Sequence, residues 1–389
     1  MSAVQDRIAP LAASYGGGNL LNLIASFENA SGGSSAFANA DGLDAAALAE
    51  QQHIVLLLLD GMGDRLLQRY ARTDGFFNRH RKGALSSVFP TTTSAAISAL
   101  MTGHPPGQHG VLAWHMHLAS GLFTTLLWRH RQQTGQSAPR ESEVFKAEPL
   151  FNRIHRDSYQ VQPHFLVDSP FSRRHRGRAR AYGAQNFNEL LGQINHISQG
   201  PKPTFSYVYW PELDSLGHKH GVASREWRDA LNRIERSIEQ LTHKLQGRPV
   251  TLVITADHGM VDAHGGQCAN IADLPDLHAC LDAPLAGEPR AAFCRVKTER
   301  LDEFDALCRE RYADILHALP VADAFQRGLF GPDPDHSLEP RAGDRLLLMQ
   351  DKHTLVEVLP GETLPAMVGV HGGLHPDEIA IPLITVDTA

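Results

Sequence analysis

The sequence contains few cysteines, and they are not spaced as metal ligands. Its 389 residues include four, Cys268, Cys280, Cys294 and Cys308, which stand twelve to fourteen positions apart without any C-x-x-C pair. A structural zinc ribbon requires such close pairs, so this class of site is not expected. The four thiols are expected to be free and buried.

The sequence also lacks a long apolar segment and an excess of positive charge. No apolar run approaches the ~20 residues that span a bilayer, and the first residues contain an Asp-Arg pair and a Gly run where a signal peptide has its apolar core. With 36 Lys and Arg against 43 Asp and Glu, the net charge is −7, which argues against a broad cationic surface for nucleic acid. We therefore expect a cytoplasmic protein without membrane or nucleic-acid polymer partners, whose oligomeric state the sequence leaves open.

Apolar runs and helical patterns alternate along the chain. The runs 53–59 (HIVLLLL) and 250–255 (VTLVIT) are continuously apolar, as in strands buried on both faces of a parallel sheet. Strands are predicted at 53–59, 85–89, 204–210, 250–255, 291–296 and 379–386, and helices at 65–72, 94–101, 224–245 and 299–316. The alternation predicts an α/β fold: a doubly wound, mainly parallel sheet with helices on both faces and a smaller inserted cap. Residues 1–265 and 366–389 are assigned to the core, and residues 266–365 to the cap.

Aspartates follow three of the predicted strands, at the edge where open α/β sheets bind their ligands. They are Asp60, Asp214 and Asp257. An aspartate in such a position most often caps a helix or forms a turn. Here, however, His218 lies four residues after Asp214, and His258 directly follows Asp257.

A third histidine, His371, precedes the last predicted strand. Mixed sets of aspartate and histidine suit borderline divalent metals, above all zinc, with manganese as the second candidate where oxygen ligands dominate. Two such ions about 4 Å apart can clamp the attacking and leaving oxygens of an in-line displacement at phosphorus. The residues therefore point to two-metal phosphoryl chemistry, which needs a nucleophile.

The segment 89–94 (FPTTTS) supplies candidates for that nucleophile. It lies between a predicted strand and the first turn of a predicted helix, where free backbone N–H groups and the helix dipole favour an anion. A threonine hydroxyl beside a bound cation loses its proton far more easily than a free alcohol does. Thr91, Thr92 and Thr93 are all available there.

Six motifs, taken together and in their order along the chain, resemble those of the nucleotide pyrophosphatase/phosphodiesterase branch of the alkaline phosphatase superfamily. They are Asp60-Gly61, Pro90 to Thr93, Thr102 to Gly110, Asp214 to Gly221, Asp257 to Met260 and His371-Gly372. Each motif is weak alone, but their joint occurrence is specific. The resemblance covers residues 53–118, 204–262 and 366–388.

The resemblance implies a hydrolase of phosphodiester or pyrophosphate bonds that acts on small-molecule phosphate esters through a covalent phosphothreonine intermediate. It also implies two divalent ions, zinc or manganese. The ligands implied for one ion are Asp214, His218 and His371, and those for the other are Asp60, Thr93, Asp257 and His258. Thr93 is the implied nucleophile, because the family nucleophile is the third residue after the proline.

Two positions depart from the family pattern. Ser94 stands where relatives commonly have phenylalanine, and ungapped alignment through His109-Gly110 puts Trp114 where relatives have an asparagine that donates to a phosphate oxygen. Trp114 is therefore the candidate substrate-binding residue, since its indole N–H can donate or its bulk can wall the pocket. These departures weaken the case for nucleotides as the substrate and leave the metal chemistry unaffected.

Other activities share this set of metal ligands and stay open. The nearest alternative is a phosphomonoesterase or a phosphonate hydrolase, although monoester specialists usually add Arg or Lys beside the phosphate and no motif provides one. The alternative from another class is a catalytically silent, metal-binding regulatory protein. The basic segment 173–180 (RRHRGRAR) is expected to be a solvated loop face, with contact to an anionic substrate as the other interpretation.

Overall fold

The structure is a computed structural model that describes residues 5–131, 137–263, 267–363 and 367–389. The helices are α1 Gln5–Ser14, α2 Leu20–Ala30, α3 Ala45–Glu50, α4 Asp64–Tyr70, α5 Phe76–His80, α6 Thr93–Thr102, α7 Pro106–His109, α8 Glu141–Val144, α9 Pro170–Arg176, α10 Phe187–Ile197, α11 Glu212–His220, α12 Arg225–Leu245, α13 Pro275–Ala279, α14 Leu301–Glu310, α15 Val321–Gln326 and α16 Pro376–Ile379. The strands are β1 His53–Leu59, β2 Arg81–Ser86, β3 His115–Leu118, β4 Gly121–Thr124, β5 Arg129–His130, β6 Asp157–Pro163, β7 Arg180–Ala184, β8 Thr204–Trp210, β9 Val250–Thr255, β10 Val261–Asp262, β11 Cys268–Asn270, β12 Ala286–Glu288, β13 Ala291–Cys294, β14 Leu316–Pro320, β15 Arg345–Met349, β16 Thr354–Val356, β17 Gly369–Val370 and β18 Ala380–Asp387.

The main sheet has the strand order β2-β18-β9-β1-β8-β6-β7. Strand β1 pairs in parallel with both β8 and β9, so that His53 lies opposite Thr204 on one side and Val250 on the other. Strand β18 is antiparallel to both of its neighbours. Every residue of β1 and β9 is buried, and successive side chains of a strand point to opposite faces, so both faces of the sheet are covered. The predicted α/β fold with a mainly parallel sheet is confirmed.

Amphipathic helices provide that cover. In α12, the buried residues Trp227, Leu231, Ile234 and Ile238 recur every three or four positions and form one apolar stripe. Ser224 caps the helix by accepting a hydrogen bond from the Trp227 amide. Within the part of the chain that the structure describes, no helix combines the length and the apolarity needed to cross a bilayer.

Two predicted elements have different bounds in the structure. The strand predicted at 85–89 is β2, which ends at Ser86. The chain then leaves the sheet edge, and residues 87–92, the threonine loop, lead into α6. The helix predicted at 299–316 ends at Glu310, because Leu316 and Leu319 are buried in strand β14, which pairs with β15. The spacing of these apolar residues fits a helix, but in the structure they belong to a strand.

A second sheet is antiparallel, with the order β14-β15-β13-β12-β3-β4-β5. Its strands come from two separate regions, 115–130 and 286–349, which meet where Gly287 pairs with His115. The sheet therefore includes strands beyond the predicted cap, residues 266–365. The exact limits of that cap fall within or beside 264–266 and 364–366, outside the described residues, and the division into core and cap stays a prediction.

All four cysteines are free. Cys280, Cys294 and Cys308 lie in the smaller hydrophobic core of the second sheet, as expected for buried thiols. Cys268 is exposed, so the expectation of burial is wrong for this residue. It lies in the short strand β11, which pairs only with β16, and this two-stranded sheet leaves the side chain in solvent.

A buried ion pair joins the turn between β12 and β13 to helix α16, which precedes β18. The Arg290 guanidinium is fully buried and its Nη2 lies 2.9 Å from Oε2 of Glu378, which is also fully buried. Its remaining donors reach the carbonyl oxygens of His353 and Asp351, both at 2.6 Å. Glu378 in turn accepts from the Gly373 amide at 2.8 Å. Because its hydrogen bonds are made, the pair holds together the segments that contain Arg290 and Glu378.

We expect Arg290→Met to lower the free energy of unfolding by about 3–5 kcal/mol, because it leaves the Glu378 carboxylate buried without its partner. Urea denaturation of the purified protein measures the loss. The matched control is Arg309→Met, whose guanidinium is exposed beside Glu310, and for which the expected change is about 0.5 kcal/mol or less. Similar losses in both variants would contradict a structural role for the buried pair.

Candidate metal centre

The first cluster of candidate ligands consists of Asp214, His218 and His371, whose ligand atoms all lie within 4.8 Å of one another. Nε2 of His218 is 3.3 Å from Oδ1 of Asp214, and Nε2 of His371 is 3.7 Å from the same oxygen. Asp214 and His218 are four residues apart in α11, so helical geometry puts both side chains on one face. The short strand β17 delivers His371 to the same place.

The second cluster consists of Asp60, Asp257 and His258, which is completely buried. Nε2 of His258 lies 3.5 Å from Oδ1 of Asp60 and 3.4 Å from Oδ2 of Asp257. Asp60 follows β1 and Asp257 follows β9, which are adjacent parallel strands, so their carboxyl ends meet at one edge of the sheet.

The two clusters adjoin. The rings of His258 and His371 are stacked with centroids 3.8 Å apart, and those of His218 and His371 are 5.1 Å apart. Gly61 makes the close packing of α11 against this edge achievable: its φ is +75°, and a Cβ there would lie 2.9 Å from the Asp214 Cα. The structure thus brings together all the Asp and His side chains that the resemblance implied as ligands.

Each of the three histidines is held in one tautomer. Nδ1 donates to a backbone carbonyl in every case: His218 to Gly369 at 2.8 Å, His258 to Gly259 at 3.0 Å and His371 to Thr91 at 2.9 Å. A carbonyl oxygen only accepts, so Nδ1 carries the proton and Nε2 keeps its lone pair. This is the arrangement by which metal-binding histidines are oriented.

Each of the three aspartates has a buried carboxylate oxygen without a hydrogen-bond partner among the described residues. These oxygens are Oδ1 of Asp60, Oδ1 of Asp214 and Oδ2 of Asp257. Burial raises the pKa of Asp60 well above its ordinary value, and the charges of Asp257 and Asp214 raise it further. Burial likewise raises the pKa of Asp214. Three unpartnered carboxylate oxygens beside three imidazole lone pairs fit divalent cations.

Tyr209 belongs to the site although the sequence analysis did not single it out. Its hydroxyl donates to Oδ2 of Asp60 and so orients the carboxylate. The signal available in the sequence was weak: Tyr209 is one of two tyrosines at alternate positions of an apolar strand, which also suits ordinary core packing.

Thr93 is the first residue of α6, and its hydroxyl lies 3.2 Å from Nε2 of His258. The other two candidate threonines are used differently. The Thr91 hydroxyl donates to the Gly373 carbonyl at 2.9 Å, and the Thr92 hydroxyl hydrogen-bonds to the Glu288 carboxylate. The structure therefore distinguishes Thr93 as the hydroxyl that adjoins the second cluster.

A cavity of about 490 Å³ opens onto both clusters and Thr93. Its outer walls are largely apolar and include Leu285, Val356 and Met367. Trp114, the predicted substrate-binding residue, is half-buried in this wall, and its backbone amide donates to Oε1 of Glu288 at 2.6 Å. Its position suits contact with a substrate substituent.

The positive charge in this cavity is already paired. Arg131 is the one Lys or Arg that lines it in the described ranges. Its Nη2 lies 2.8 Å from Oε2 of Glu362 and 2.6 Å from the Glu357 carbonyl oxygen, and its Nε lies 3.0 Å from Oε1 of Glu362. The guanidinium is thus held by the cavity wall.

Glu288 is a second residue that the sequence analysis missed. It ends β12, is 7% exposed and lines the cavity beside Trp114 and Thr92. Burial raises its pKa to about 7, while the hydrogen bonds from Thr92 and Trp114 oppose the rise. No motif marks this glutamate; only the pairing of the second sheet brings it here.

The basic segment 173–180 lies mostly away from the cavity. Arg174 stacks on the Phe145 ring, with 5.5 Å between its Cζ and the ring centroid, and Arg180 stacks on Tyr159 at 5.9 Å. Nε of Arg178 donates to the Phe151 carbonyl at 2.7 Å. The arginines therefore form surface contacts, as expected. His175 is the exception, because it is buried.

Comparison with known sequences identifies one family. The family model described as type I phosphodiesterase/nucleotide pyrophosphatase matches residues 54–374. Bis(5'-adenosyl)-triphosphatase ENPP4 of Bos taurus is 34% identical over 104 residues, which is 25% of this chain and 22% of that protein. Ectonucleotide pyrophosphatase/phosphodiesterase 1 of Saccharomyces cerevisiae is 26% identical over 223 residues, which is 49% of this chain and 30% of that protein. The matched region thus spans less than a third of either relative.

Solved structures share the fold. An inactive variant of murine ectonucleotide pyrophosphatase/phosphodiesterase 5 in complex with AMP aligns with a TM-score of 0.65 at 18% identity, over 86% of this chain and 87% of that chain. Phosphonoacetate hydrolase from Sinorhizobium meliloti 1021 in complex with phosphonoacetate aligns with a TM-score of 0.61 at 16% identity, over 86% and 90%. At these identities the likeness establishes the architecture.

We expect the free energy of unfolding of Glu288→Gln, relative to that of wild type, to increase by on the order of 2–3 kcal/mol as the pH rises from about 5 to 8. Because burial raises the folded-state pKa of Glu288 to about 7, the folded protein holds this proton more tightly than the unfolded chain does. That contribution is complete below the unfolded pKa and is lost as the pH rises through about 7. Glutamine has no such proton.

The measurement is the free energy of unfolding of both proteins, freed of metal by a chelator, at several pH values. Glu310→Gln, at an exposed position on α14, is the control. A stability difference between wild type and Glu288→Gln that does not change with pH would refute the raised pKa.

Proposed function

The chain belongs to the type I phosphodiesterase/nucleotide pyrophosphatase family, and from this membership we propose that it is a metal-dependent hydrolase of phosphodiester or pyrophosphate bonds. The substrate is a small-molecule phosphate ester. Thr93 is the nucleophile: its Oγ bonds to phosphorus, the bond to the leaving-group oxygen breaks, and water then hydrolyses the phosphothreonine.

The proposal rests on one observation. The Thr93 hydroxyl adjoins two neighbouring clusters of candidate ligands, whose carboxylates have no cationic partner among the described side chains. Asp214, His218 and His371 would hold one divalent ion, and Asp60, Asp257, His258 and Thr93 the other. Zinc suits this mixture of imidazole and carboxylate best, and manganese is the second candidate. When bound, the two ions would supply the positive charge that favours the ionised Thr93 hydroxyl and balances the charge of the transferred phosphoryl group.

The protein itself supplies the rest of the anion site. Thr93 starts a ten-residue helix, and the backbone N–H groups of its first turn have no partners within the helix. These donors are neutral. The Glu288 carboxyl group lines the same cavity and the Arg131 guanidinium is paired with Glu362. A monoester dianion therefore meets no free cationic side chain among the described lining residues, and a diester, with one charge fewer, fits better.

The apolar wall supports the same preference. A diester carries a second organic substituent, which gains by burial against surfaces such as those of Trp114 and Leu285. Phosphonate hydrolysis is the second candidate, because the same nucleophile and ligand set would serve it and one structural neighbour is a phosphonoacetate hydrolase. A silent regulatory protein is the least favoured, since it would have no use for a hydroxyl beside the second cluster.

The remaining sequence-based predictions are unchanged. We propose a cytoplasmic location and no membrane or nucleic-acid polymer partner, on the charge and hydropathy arguments above. The substrate-binding role of Trp114 and the division into core and cap are likewise proposals.

Thr93→Ala should abolish turnover of an aryl phosphodiester while metal content and fold persist, because it removes the attacking oxygen and leaves the Asp and His ligands. We expect a loss of at least about 10³-fold in kcat, with partial recovery in Thr93→Ser. Steady-state kinetics measure the loss, and elemental analysis measures the metal, for which we expect close to two ions in wild type and inactivation by a chelator.

Thr102→Ala is the control for that experiment. Thr102 ends the same helix and its hydroxyl donates to the Ser98 carbonyl, so its replacement should leave kcat nearly unchanged. Full activity of Thr93→Ala, or of wild type without any transition metal, would exclude the proposed chemistry.

Wild type should show at least about tenfold higher kcat/KM for methyl 4-nitrophenyl phosphate than for 4-nitrophenyl phosphate, since the monoester's extra charge finds no free cation. At pH 8, where Glu288 with its pKa of about 7 is ionised, Glu288→Gln should narrow the ratio by improving kcat/KM for the monoester, because it removes a like charge from the cavity. Both esters are assayed at one pH and one metal content. A monoester preference in wild type would contradict the charge argument.

A further inference from the structure

A second, smaller cavity of about 70 Å³ is also lined by Thr93. It is enclosed by residues of β6 and β8 on one side and of α6 and α9 on the other. Thr93, Leu126 and Tyr209 line both cavities. The two spaces therefore meet at the candidate nucleophile, where the two substituents of a phosphodiester would diverge.

Polar side chains line this cavity at positions where a buried strand normally carries apolar ones. Gln160 and Gln162 are two residues apart on β6, so they share a face, and Gln160 lies opposite Tyr207 of the adjacent strand β8. The exposed fractions are 2% for Gln160, 3% for Gln162, 1% for Tyr207 and 1% for His175 of α9. Burying four polar side chains together is costly unless they are hydrogen-bonded.

Each of these four side chains has a polar atom without a partner among the described residues. The atoms are Oε1 of Gln160, Nε2 of Gln162, the Tyr207 hydroxyl and Nε2 of His175. Unpartnered buried groups are rare in folded proteins, and a group of four around one cavity calls for something that hydrogen-bonds to them.

The chemistry of the four atoms defines what would bind. Nδ1 of His175 donates to the Phe171 carbonyl at 2.9 Å, so its Nε2 is an acceptor, as is Oε1 of Gln160. Burial lowers the pKa of His175 to about 4, which keeps its ring neutral. Nε2 of Gln162 donates, and the Tyr207 hydroxyl can donate or accept. The cavity thus offers both donors and acceptors.

No described residue that lines the cavity carries a formal charge. A charged substituent would be buried there without a counter-ion, which is strongly unfavourable. A purely apolar one would leave the four polar atoms unpaired. A hydroxyl group both donates and accepts, and the volume suffices for a short chain of a few heavy atoms.

We propose that the small cavity is a subsite for a neutral, hydroxyl-bearing substituent of the phosphodiester, such as a short hydroxyalkyl group, while the large cavity takes the other substituent. The inference rests on the proposed phosphodiesterase activity and specifies its substrate class. It also assigns a role to His175, the buried histidine of the basic segment 173–180.

The test compares 3-hydroxypropyl 4-nitrophenyl phosphate with n-propyl 4-nitrophenyl phosphate, which share one leaving group and one charge. We expect wild type to show about tenfold higher kcat/KM for the hydroxypropyl ester, as one or two added hydrogen bonds to buried groups would give. Equal values would mean that the cavity holds only water, and would overturn the subsite.

Two variants locate the effect. Gln162→Met and Tyr207→Phe preserve the size of the side chain while removing a polar group, so each should reduce the preference to about twofold or less. The smaller ratio should arise because kcat/KM falls for the hydroxypropyl ester, while removal of an unpaired polar group leaves kcat/KM for the propyl ester equal to or higher than in wild type. Gln199→Met, at an exposed position, is the matched control and should keep the full preference.

The outcomes separate the two proposals. Retention of the tenfold preference in both variants would overturn the subsite while phosphodiester hydrolysis stands. Failure of wild type to hydrolyse either ester would overturn the proposed activity itself. Should one variant not fold, the other variant and the wild-type ratio still decide the question.

Discussion

Three carboxylates meet in one buried space at the carboxyl ends of β1, β8 and β9, and their mutual repulsion is the constraint to which the surrounding structure is fitted. Burial raises the pKa of Asp60 and of Asp214, and the neighbouring carboxylates raise that of Asp60 further. The fold holds them there regardless, because the apolar strands that carry them are fixed by packing on both faces. Tyr209 satisfies one oxygen of Asp60, and the Gly61 amide reaches Asp257. The oxygens left over converge on the imidazoles, where divalent cations would relieve the repulsion.

The second sheet completes this site. Glu288 and Arg290 are two residues apart at the turn between β12 and β13. Glu288 contacts the threonine loop through Thr92, and Arg290 is paired with Glu378 behind the loop that carries His371. One short segment thus contacts the loop before the candidate nucleophile on one side and lies near a candidate ligand on the other. Residues that the sequence assigned to a separate cap pair with β3 and form part of the cavity wall.

Sequence patterns predicted those parts of the protein that local rules determine. The strands 53–59, 204–210 and 250–255 have the predicted bounds, because a continuous apolar run flanked by polar residues has few other solutions. The Asp and His side chains of the two clusters could be singled out because each stands in a short motif, and the structure brings them together. The helix predicted at 299–316 failed at its end, since pairing with β15 outweighed helical periodicity.

The residues that the sequence did not reveal depend on contacts between distant segments. Glu288 reaches the site only because β12 pairs with β3, and Tyr209 matters only because Asp60 lies beside it. Gln160 and Gln162 carried only a weak signal, because the strand in which they alternate, DSYQVQP, is itself largely polar. Their significance follows from the register that sets Gln160 opposite Tyr207, which no local pattern encodes.

Strand β18 follows every other strand in the chain, yet it occupies an interior position, between β2 and β9. During synthesis from the N-terminus, a gap one strand wide must remain open in the sheet until β18 emerges. Until then β2 has no neighbouring strand in the main sheet, and the position of the threonine loop relative to the aspartates is not fixed. The edge that carries the two clusters therefore cannot be completed before β18 pairs, and the closing of such distant contacts is slow. A nascent chain passes most of its synthesis with the hydrophobic flanks of this gap exposed, the period in which edge-to-edge association with another chain competes with folding.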